Sequence, residues 1–216
     1  MKEKPNEWIS ISDLMAGVMA VVMLMLVMSV LQNRFAEFKH QQEKNSGIVT
    51  EQRKLNGLLQ AMQETVTKQG DAALIYVDIG SDKITLRDKV FSRGSACITP
   101  QAREALARIA PGIAEFISGS ASAEVFVEGH TDNLQVSSPV IDAARFCTVY
   151  DDNFTLSAAR AREARKLLIT SLQETQAKRV IVAGFGDSQP LPDIDPNDER
   201  NRRVEVQFLN RASKRE

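Results

Sequence analysis

A chain of 216 residues with 27 basic and 28 acidic side chains is almost neutral, with a formal net charge of −1. This balance lacks the basic excess of nucleic-acid-binding proteins, so it gives no reason to expect nucleic acid as a partner. Once an N-terminal membrane segment and a linker are set aside, about 140 residues remain, which is the size of one ordinary domain.

The first predicted element is a membrane-spanning helix over residues 9–32, preceded by residues 1–8. The run from Leu14 to Asn33 carries no charge, and roughly 20 apolar residues at about 1.5 Å rise each cross the hydrocarbon layer. A cleaved signal peptide does not fit, because the apolar core is too long and no A-x-A-like cleavage site follows it. Basic residues flank both ends of the helix, so the positive-inside rule leaves its orientation open.

Asp13 is the one charged residue between Trp8 and Gln32. An ionisable group inside the membrane boundary costs roughly 3 kcal/mol unless it faces protein or water, so it marks a functional site by default. We predict that Asp13 is an ion-carrying carboxylate. The alternative is that Asp13 only caps the start of the helix, where Ser10 and Ser12 are also available.

A polar linker is predicted over residues 33–70, and it contains an apolar stripe. Four apolar side chains recur at the spacing of an amphipathic helix: Leu55, Leu59, Met62 and Val66. Two heptads are too few for a stable coiled coil alone. Two interpretations therefore stay open, a solvated helical spacer or a surface that pairs with a second copy.

Strand and helix patterns alternate through residues 71–210, before a short tail at 211–216. Two β-rich runs around Gly80-Ser81-Asp82 predict a hairpin. Thr99 and Pro100 predict the N-cap and first residue of a helix that stops at Gly119. Further along, the patterns predict a strand at AEVFVEG, a helix from Leu156 to Leu172, and strands at RVIVAGFG and RRVEVQFL. The fold class is therefore α+β, with helices packed on one face of a mixed sheet.

Three motifs then follow one another: EGHTD at 128–132, NFTLSAARA at 153–161 and NDERNRRVE at 197–205. With the Gly-x-Gly at 184–186, they resemble the OmpA/MotB-like peptidoglycan-binding domain over roughly residues 73–210. Because the N-terminal helix carries an aspartate, the whole chain resembles the B subunits of ion-driven stator units. Among these it is most similar to the membrane-motor subunits of Zorya-type anti-phage defence systems.

The resemblance implies an OmpA-like sandwich in the periplasm, behind a single-pass helix in the bacterial inner membrane with its N-terminus in the cytoplasm. It implies a non-enzymatic protein without cofactor, present in two copies inside a ring of five A-type (MotA-like) subunits. Two other functions stay open: a flagellar stator B subunit, and a passive cell-wall tether that conducts no ions. Asp13 favours the motor over the tether.

A wall peptide that ends in a diamino acid carries an ammonium and a carboxylate on one carbon. Its receptor needs an anion and a bidentate cation that face each other. Asp132 at the end of a strand and Arg160 one turn into the next helix fit these roles, although a surface salt bridge is the alternative. The resemblance implies four further peptidoglycan-binding residues: Thr131, Asn153, Leu156 and Arg203.

An insert of twenty residues between Asp132 and Asn153 departs from the family pattern, which has a much shorter connection there. It contains Cys147, and the one other cysteine is Cys97. The two pair in an oxidising compartment or stay separate thiols in a reducing one. The periplasmic location that the resemblance implies favours an intrachain disulfide.

Metal and hydrolase sites are not predicted. His130 lies in the EGHTD motif, and the one other histidine is His40. Two distant histidines give no metal-ligand spacing, and no GxSxG motif is present for a hydrolase.

Overall fold

The computed structural model describes residues 7–210, without the side chains of residues 7–13, 40, 43–46 and 48. The chain divides into two compact units, residues 1–50 and 51–216. Helix α1, Glu7–Lys68, begins in the first unit and ends in the second. The predicted linker is therefore continuous helix up to Lys68, since residues 33–68 contain no proline and are rich in the helix formers Gln, Glu and Lys.

The first unit contains the apolar stretch Leu14–Lys39, which by length and composition is able to span a membrane. The mean hydropathy of its most apolar window is 2.7, and none of that window is buried within the protein. This helix fits a single-pass inner-membrane topology. Asp13 lies just before the stretch and is the seventh residue of α1, so it does not cap the start of the helix as the alternative interpretation required. Its side chain is outside the described ones.

The second unit is built on a five-stranded mixed sheet in the order β1-β2-β5-β3-β4. The strands are β1 Ile75–Asp78, β2 Lys83–Leu86, β3 Ala123–His130, β4 Val180–Gly184 and β5 Arg203–Asn210. Strands β3 and β4 are parallel, whereas the other neighbours are antiparallel. A parallel pair needs a crossover, and the chain between β3 and β4 supplies it with helix α4, Asn153–Leu168.

Helices α2, Pro100–Gly119, and α4 pack on one face of this sheet, so the predicted α+β class is confirmed. Thr99 caps α2 by accepting from the Ala102 N–H at 3.4 Å. Helix α4 begins before the predicted Leu156, because the Asp152 carboxylate accepts from the Thr155 N–H at 2.6 Å and caps the helix there. Two short helices, α3 Ala143–Phe146 and α5 Glu174–Ala177, lie in the connections.

Two glycines let α4 lie close to the sheet. Gly129 of β3 and Gly184 of β4 are register partners. A Cβ at Gly129 would lie 2.0 Å from the Ser157 carbonyl oxygen, and one at Gly184 would lie 2.6 Å from the Ala158 Cβ. Only glycine allows this approach, which brings the first turns of α4 beside the residues that follow β3.

The apolar stripe of α1 belongs to the core of the second unit. Its four side chains are at most 7 % exposed and join the cluster formed by the sheet and α2: Leu55, Leu59, Met62 and Val66. Met62 lies so close to Gly112 of α2 that a Cβ there would clash with its side chain. The stripe is therefore neither a solvated spacer nor a free pairing surface, and the compact unit begins at Glu51 instead of at the predicted residue 71.

Candidate functional site

The predicted anion, Asp132, lies two residues after the end of β3 and is buried, with 5 % of its surface exposed. Its carboxylate accepts a hydrogen bond from Arg202 Nη1 at 2.6 Å. Arg202 also donates to both carboxylate oxygens of Asp88, at 3.0 Å from Nε and 3.2 Å from Nη2. The hydrogen bond to Asp88, and after it the one to Asp132, raise the pKa of Arg202 above its usual range. Arg202 is thus a permanent cation that bridges two carboxylates.

Sequence reasoning missed Arg202 and selected its neighbour Arg203. The Arg203 side chain donates instead to Glu205 Oε1 at 2.6 Å and to the Gln189 carbonyl oxygen at 3.4 Å. Among the described residues, no contact joins Arg203 to Asp132. Consecutive residues of an extended chain point to opposite sides, so only one arginine of the pair reaches this site. The adjacent arginines in NDERNRRVE include both candidates for the partner of Asp132, but the motif alone does not distinguish them.

The predicted cation, Arg160, lies on α4 with 2 % of its surface exposed. Its Nε donates to the Ser95 carbonyl oxygen at 3.0 Å, and its guanidinium lies 5.3 Å from the centroid of the Phe91 ring. Its Nη1 lies 3.8 Å from Asp88 Oδ1, which is too long for a hydrogen bond. Nη1 has no hydrogen-bond partner within the described part of the chain. Burial lowers the pKa of Arg160, and the nearby Asp88 opposes this shift.

No hydrogen bond or ion pair joins Asp132 to Arg160 within the described part of the chain. The charges alternate along a row from Asp132 through Arg202 and Asp88 to Arg160. Two anions and two cations make the row neutral as a whole. A zwitterion with an ammonium and a carboxylate on one carbon matches this alternation, since each of its charges finds an opposite one within the row.

The other predicted residues surround Asp132. Asn153 Nδ2 donates to the carbonyl oxygens of Asp132 and Leu134, at 3.3 and 3.0 Å, and so holds the turn after β3. Thr131 is buried, and its hydroxyl has no hydrogen-bond partner among the described residues. Leu156, one turn further along α4, is also buried. The structure thus brings five of the predicted peptidoglycan-binding residues together where β3 ends and α4 begins. Arg203 is the register partner of His130 at this end of β3, but its side chain binds Glu205 instead.

The model of the OmpA family matches residues 90–203. This range is more than half of the chain, and it contains the whole row of charges except Asp88. The chain belongs to the OmpA family.

This OmpA-family chain aligns with different fractions of its relatives. It is 26 % identical over 98 % of its length to the Zorya protein ZorB of Escherichia coli, and the alignment spans 91 % of ZorB. It is 35 % identical over 85 residues to the uncharacterized protein YtxE of Bacillus subtilis, but that alignment spans 38 % of this chain and 31 % of YtxE. The chain therefore matches less than a third of YtxE and nearly all of ZorB.

Two solved structures have a similar fold. The cell wall anchor of the T6SS from Pseudomonas aeruginosa is 26 % identical with a TM-score of 0.51, over 69 % of this chain and 96 % of the anchor. A putative MotB like protein from Desulfovibrio vulgaris is 24 % identical with a TM-score of 0.52, over 74 % of this chain and 98 % of that protein. The second likeness shows the fold alone.

The insert of this OmpA domain is fixed to the body of the domain. Cys97 and Cys147 are joined by a disulfide, with 5.1 Å between their Cα atoms. Val140 and Tyr150 form an isolated antiparallel bridge that closes the insert on itself. The Tyr150 hydroxyl donates to the Gly94 carbonyl oxygen at 2.5 Å. The insert therefore packs on the segment before α2, beside Arg160.

The face of the sheet away from the helices carries a second charged cluster. Lys83 Nζ and Arg203 Nε bind the two carboxylate oxygens of Glu205 at 2.7 and 2.6 Å. Glu128, His130 and Glu205 place possible metal-ligand atoms within 4.8 Å of one another, a grouping that sequence reasoning did not predict. Both oxygens of Glu205 are already paired with cations, and the two cations repel a metal ion. The absence of a metal site accordingly stays a prediction.

His130 is enclosed, with 1 % of its surface exposed and its ring stacked on Phe185 at a centroid distance of 5.4 Å. Neither ring nitrogen has a hydrogen-bond partner within the described range. Burial, and after it the charge of Arg203, lower the pKa of His130 from 6.5 to about 4. The ring is therefore neutral at neutral pH.

We expect the free energy of unfolding to fall as the pH is lowered from 6.5 towards 4. In this window the unfolded chain binds a proton at His130 and the folded domain does not, so the stability present above pH 6.5 is lost on acidification. The loss is about 2 kcal/mol between pH 7 and pH 5. Urea unfolding of a fragment that starts at Glu51 measures it, since His130 is the only histidine there.

The control for this measurement is the same fragment with His130→Gln. Glu128 and Glu205 titrate in both proteins, so the difference between the two pH slopes above pH 4.5 reports the histidine. Equal slopes in the two proteins would contradict the assignment of a buried, neutral ring.

Proposed function

We propose that the chain is the ion-conducting, peptidoglycan-anchored B subunit of a stator-like membrane motor in Zorya-type defence against phage. The observation that carries the proposal is the alternating row of charges in an OmpA-family domain that shares its chain with one membrane-length apolar helix. The near full-length similarity to ZorB supports a role in defence over one in motility. The domain binds and anchors, and no catalytic step is assigned to it.

In the proposed complex, a diamino acid of the wall peptide binds across the row of charges. The free donor of Arg160 takes the carboxylate, because a buried guanidinium with an unused N–H gains a charge-assisted bond there. Asp132 takes the ammonium. Thr131 supplies its unpartnered hydroxyl, while Asn153 keeps Asp132 in place through the backbone.

The membrane part of the proposal assigns ion transfer to Asp13. A single helix cannot line a conducting path, and a carboxylate in the membrane needs surrounding protein or water. We therefore place two copies of the chain inside five A-type (MotA-like) subunits, with the N-terminus in the cytoplasm and the OmpA domain in the periplasm. Binding of the OmpA domains to the wall then keeps the two copies stationary while the ring of A-type subunits moves around them.

A passive wall tether is the second candidate. The likeness to the cell wall anchor of the T6SS favours it, because anchoring by itself requires only the domain. The two functions differ in whether the chain needs a ring of partners and a titrating Asp13.

The proposed stoichiometry is tested by a mass measurement on the complex purified through this chain from its native membranes. We expect a particle that contains two copies of the chain and five copies of a multi-helix A-type subunit. A stable monomer that purifies without any such subunit would contradict the proposed motor function and leave the passive wall tether as the remaining candidate.

A further inference from the structure

We propose that the insert, residues 133–152, holds Arg160 in its binding position through the turn at residues 92–97, and that the Cys97–Cys147 disulfide thereby raises the affinity for the wall ligand. The inference rests on the proposed wall-binding function. It concerns a feature in which this chain departs from the family pattern, since the insert is longer than the usual connection.

The first step is the contact between Arg160 and the turn at residues 92–97. Arg160 Nε donates to the carbonyl oxygen of Ser95, and both residues are 2 % exposed. A guanidinium is planar, so a fixed Nε restricts the directions in which its two Nη atoms point. The turn is closed by a bond from the Ser92 N–H to the Cys97 carbonyl oxygen at 3.0 Å. The position of this turn therefore sets the direction of the free Nη1 donor.

The second step is that the insert holds the turn at several points. The carbonyl oxygen of Phe146 accepts from Ser95 Oγ at 2.9 Å and from the Ala96 N–H at 3.0 Å. The Tyr150 hydroxyl reaches the Gly94 carbonyl oxygen at the start of the turn. The disulfide then joins Cys97, at the end of the turn, covalently to the residue that follows Phe146.

The third step is that the middle of the insert has few other contacts with the domain. Residues 141–145 are exposed. Arg162 Nη2 of α4 donates to the Cys147 carbonyl oxygen at 3.1 Å, but this arginine is itself half exposed. Segments with few buried contacts and exposed hydrogen bonds open easily. The disulfide is the one covalent link that keeps the Phe146 carbonyl oxygen against the turn.

Loss of the disulfide therefore frees the turn and, with it, the Arg160 side chain. The ligand then has to order a long side chain that the intact protein presents already ordered. Ordering one such side chain on binding weakens affinity by about threefold to tenfold.

The experiment measures binding of the full-length chain in detergent to purified sacculi by sedimentation. The wild type is compared with the double variant Cys97→Ser/Cys147→Ser, with Arg160→Lys, and with the protein that combines all three changes. We expect the serine changes to weaken binding about threefold to tenfold in the wild-type background. In the Arg160→Lys background they should have almost no effect, because lysine has no Nε–H to be held by Ser95.

The variant Tyr150→Phe keeps the disulfide and removes the hydroxyl, with its contact to Gly94 and its electrostatic interaction with Arg160. It provides the same test if the serine variants do not fold, and we expect a smaller loss of affinity that again disappears in the Arg160→Lys background. Thermal unfolding of each protein shows whether the domain is folded at the temperature of the binding assay.

Three results would overturn the inference. If the serine changes leave binding unchanged while the wild type sediments with sacculi, the insert does not position Arg160 and wall binding stands. If they weaken binding equally in both backgrounds, the disulfide acts on the stability of the domain and not through Arg160. If the wild type does not sediment, the proposed wall-binding function fails and this inference fails with it.

Discussion

Replacing Arg160 with alanine should weaken binding of the chain to purified sacculi by about tenfold to a hundredfold. Arg160 is 2 % exposed and its guanidinium has a donor without a partner among the described residues, so the substitution deletes a buried cation that can bind a carboxylate. Asp88 loses little in the variant, because it keeps both hydrogen bonds from Arg202. The measurement is sedimentation of the purified chain with sacculi over a range of concentrations.

Two further variants sharpen this test. Arg160→Lys should restore only part of the affinity, since an ammonium cannot form the two parallel bonds that a guanidinium gives to a carboxylate. Arg103→Ala is a matched control, because Arg103 is an exposed arginine of α2 outside the row of charges. Equal sedimentation of wild type and Arg160→Ala would show that the row does not bind the wall.

Replacing Asp13 with asparagine should reduce motor function to background while the protein still inserts in the membrane and assembles with its partners. Asparagine has nearly the shape of aspartate, but it cannot take up and release an ion. The measurement is phage protection in cells, together with ion flux through the purified complex in lipid vesicles.

The control for this experiment is Ser12→Ala, which changes the neighbouring polar side chain and leaves the charge. Helix α1 begins at Glu7, so neither residue caps its start. We therefore expect Ser12→Ala to keep full function. Full activity of Asp13→Asn would therefore contradict the ion-carrying role. A passive tether would also tolerate this substitution, so the result separates the two proposed functions.

The elements that the sequence predicted correctly are those marked by signals within a few residues. The turn at residues 80–82 joins β1 and β2, and Thr99 with Pro100 starts α2. These signals act through local backbone geometry and through capping bonds, which do not depend on the rest of the fold. The end of β3 and the start of α4 carry the family motifs, and for that reason Asp132, Asn153 and Arg160 could be proposed as site residues from the sequence alone.

The packing partners of these elements could not be predicted in the same way, because they bring together residues that lie far apart along the chain. The stripe at residues 55–66 has the same pattern whether it faces water, a second copy or its own domain. Only the packing of Met62 on Gly112 shows that its own domain covers it. The sequence likewise does not show which of Arg202 and Arg203 binds Asp132, because the two residues are adjacent and chemically identical. The register of β5 against β3 decides that Arg202 reaches Asp132 while Arg203 lies with Glu205 on the opposite face.

By itself, therefore, the sequence determined the membrane-length helix and the α+β pattern and proposed most residues of the candidate site, because hydrophobic spacing, capping and motif order are local properties. Tertiary structure decided that Arg202 and Asp88 stand between Asp132 and Arg160, and that the insert reaches the turn which holds Arg160. These contacts join residues from 51 to 114 positions apart. Which distant groups meet is set by how the helices and strands pack, and local spacing carries no information about that.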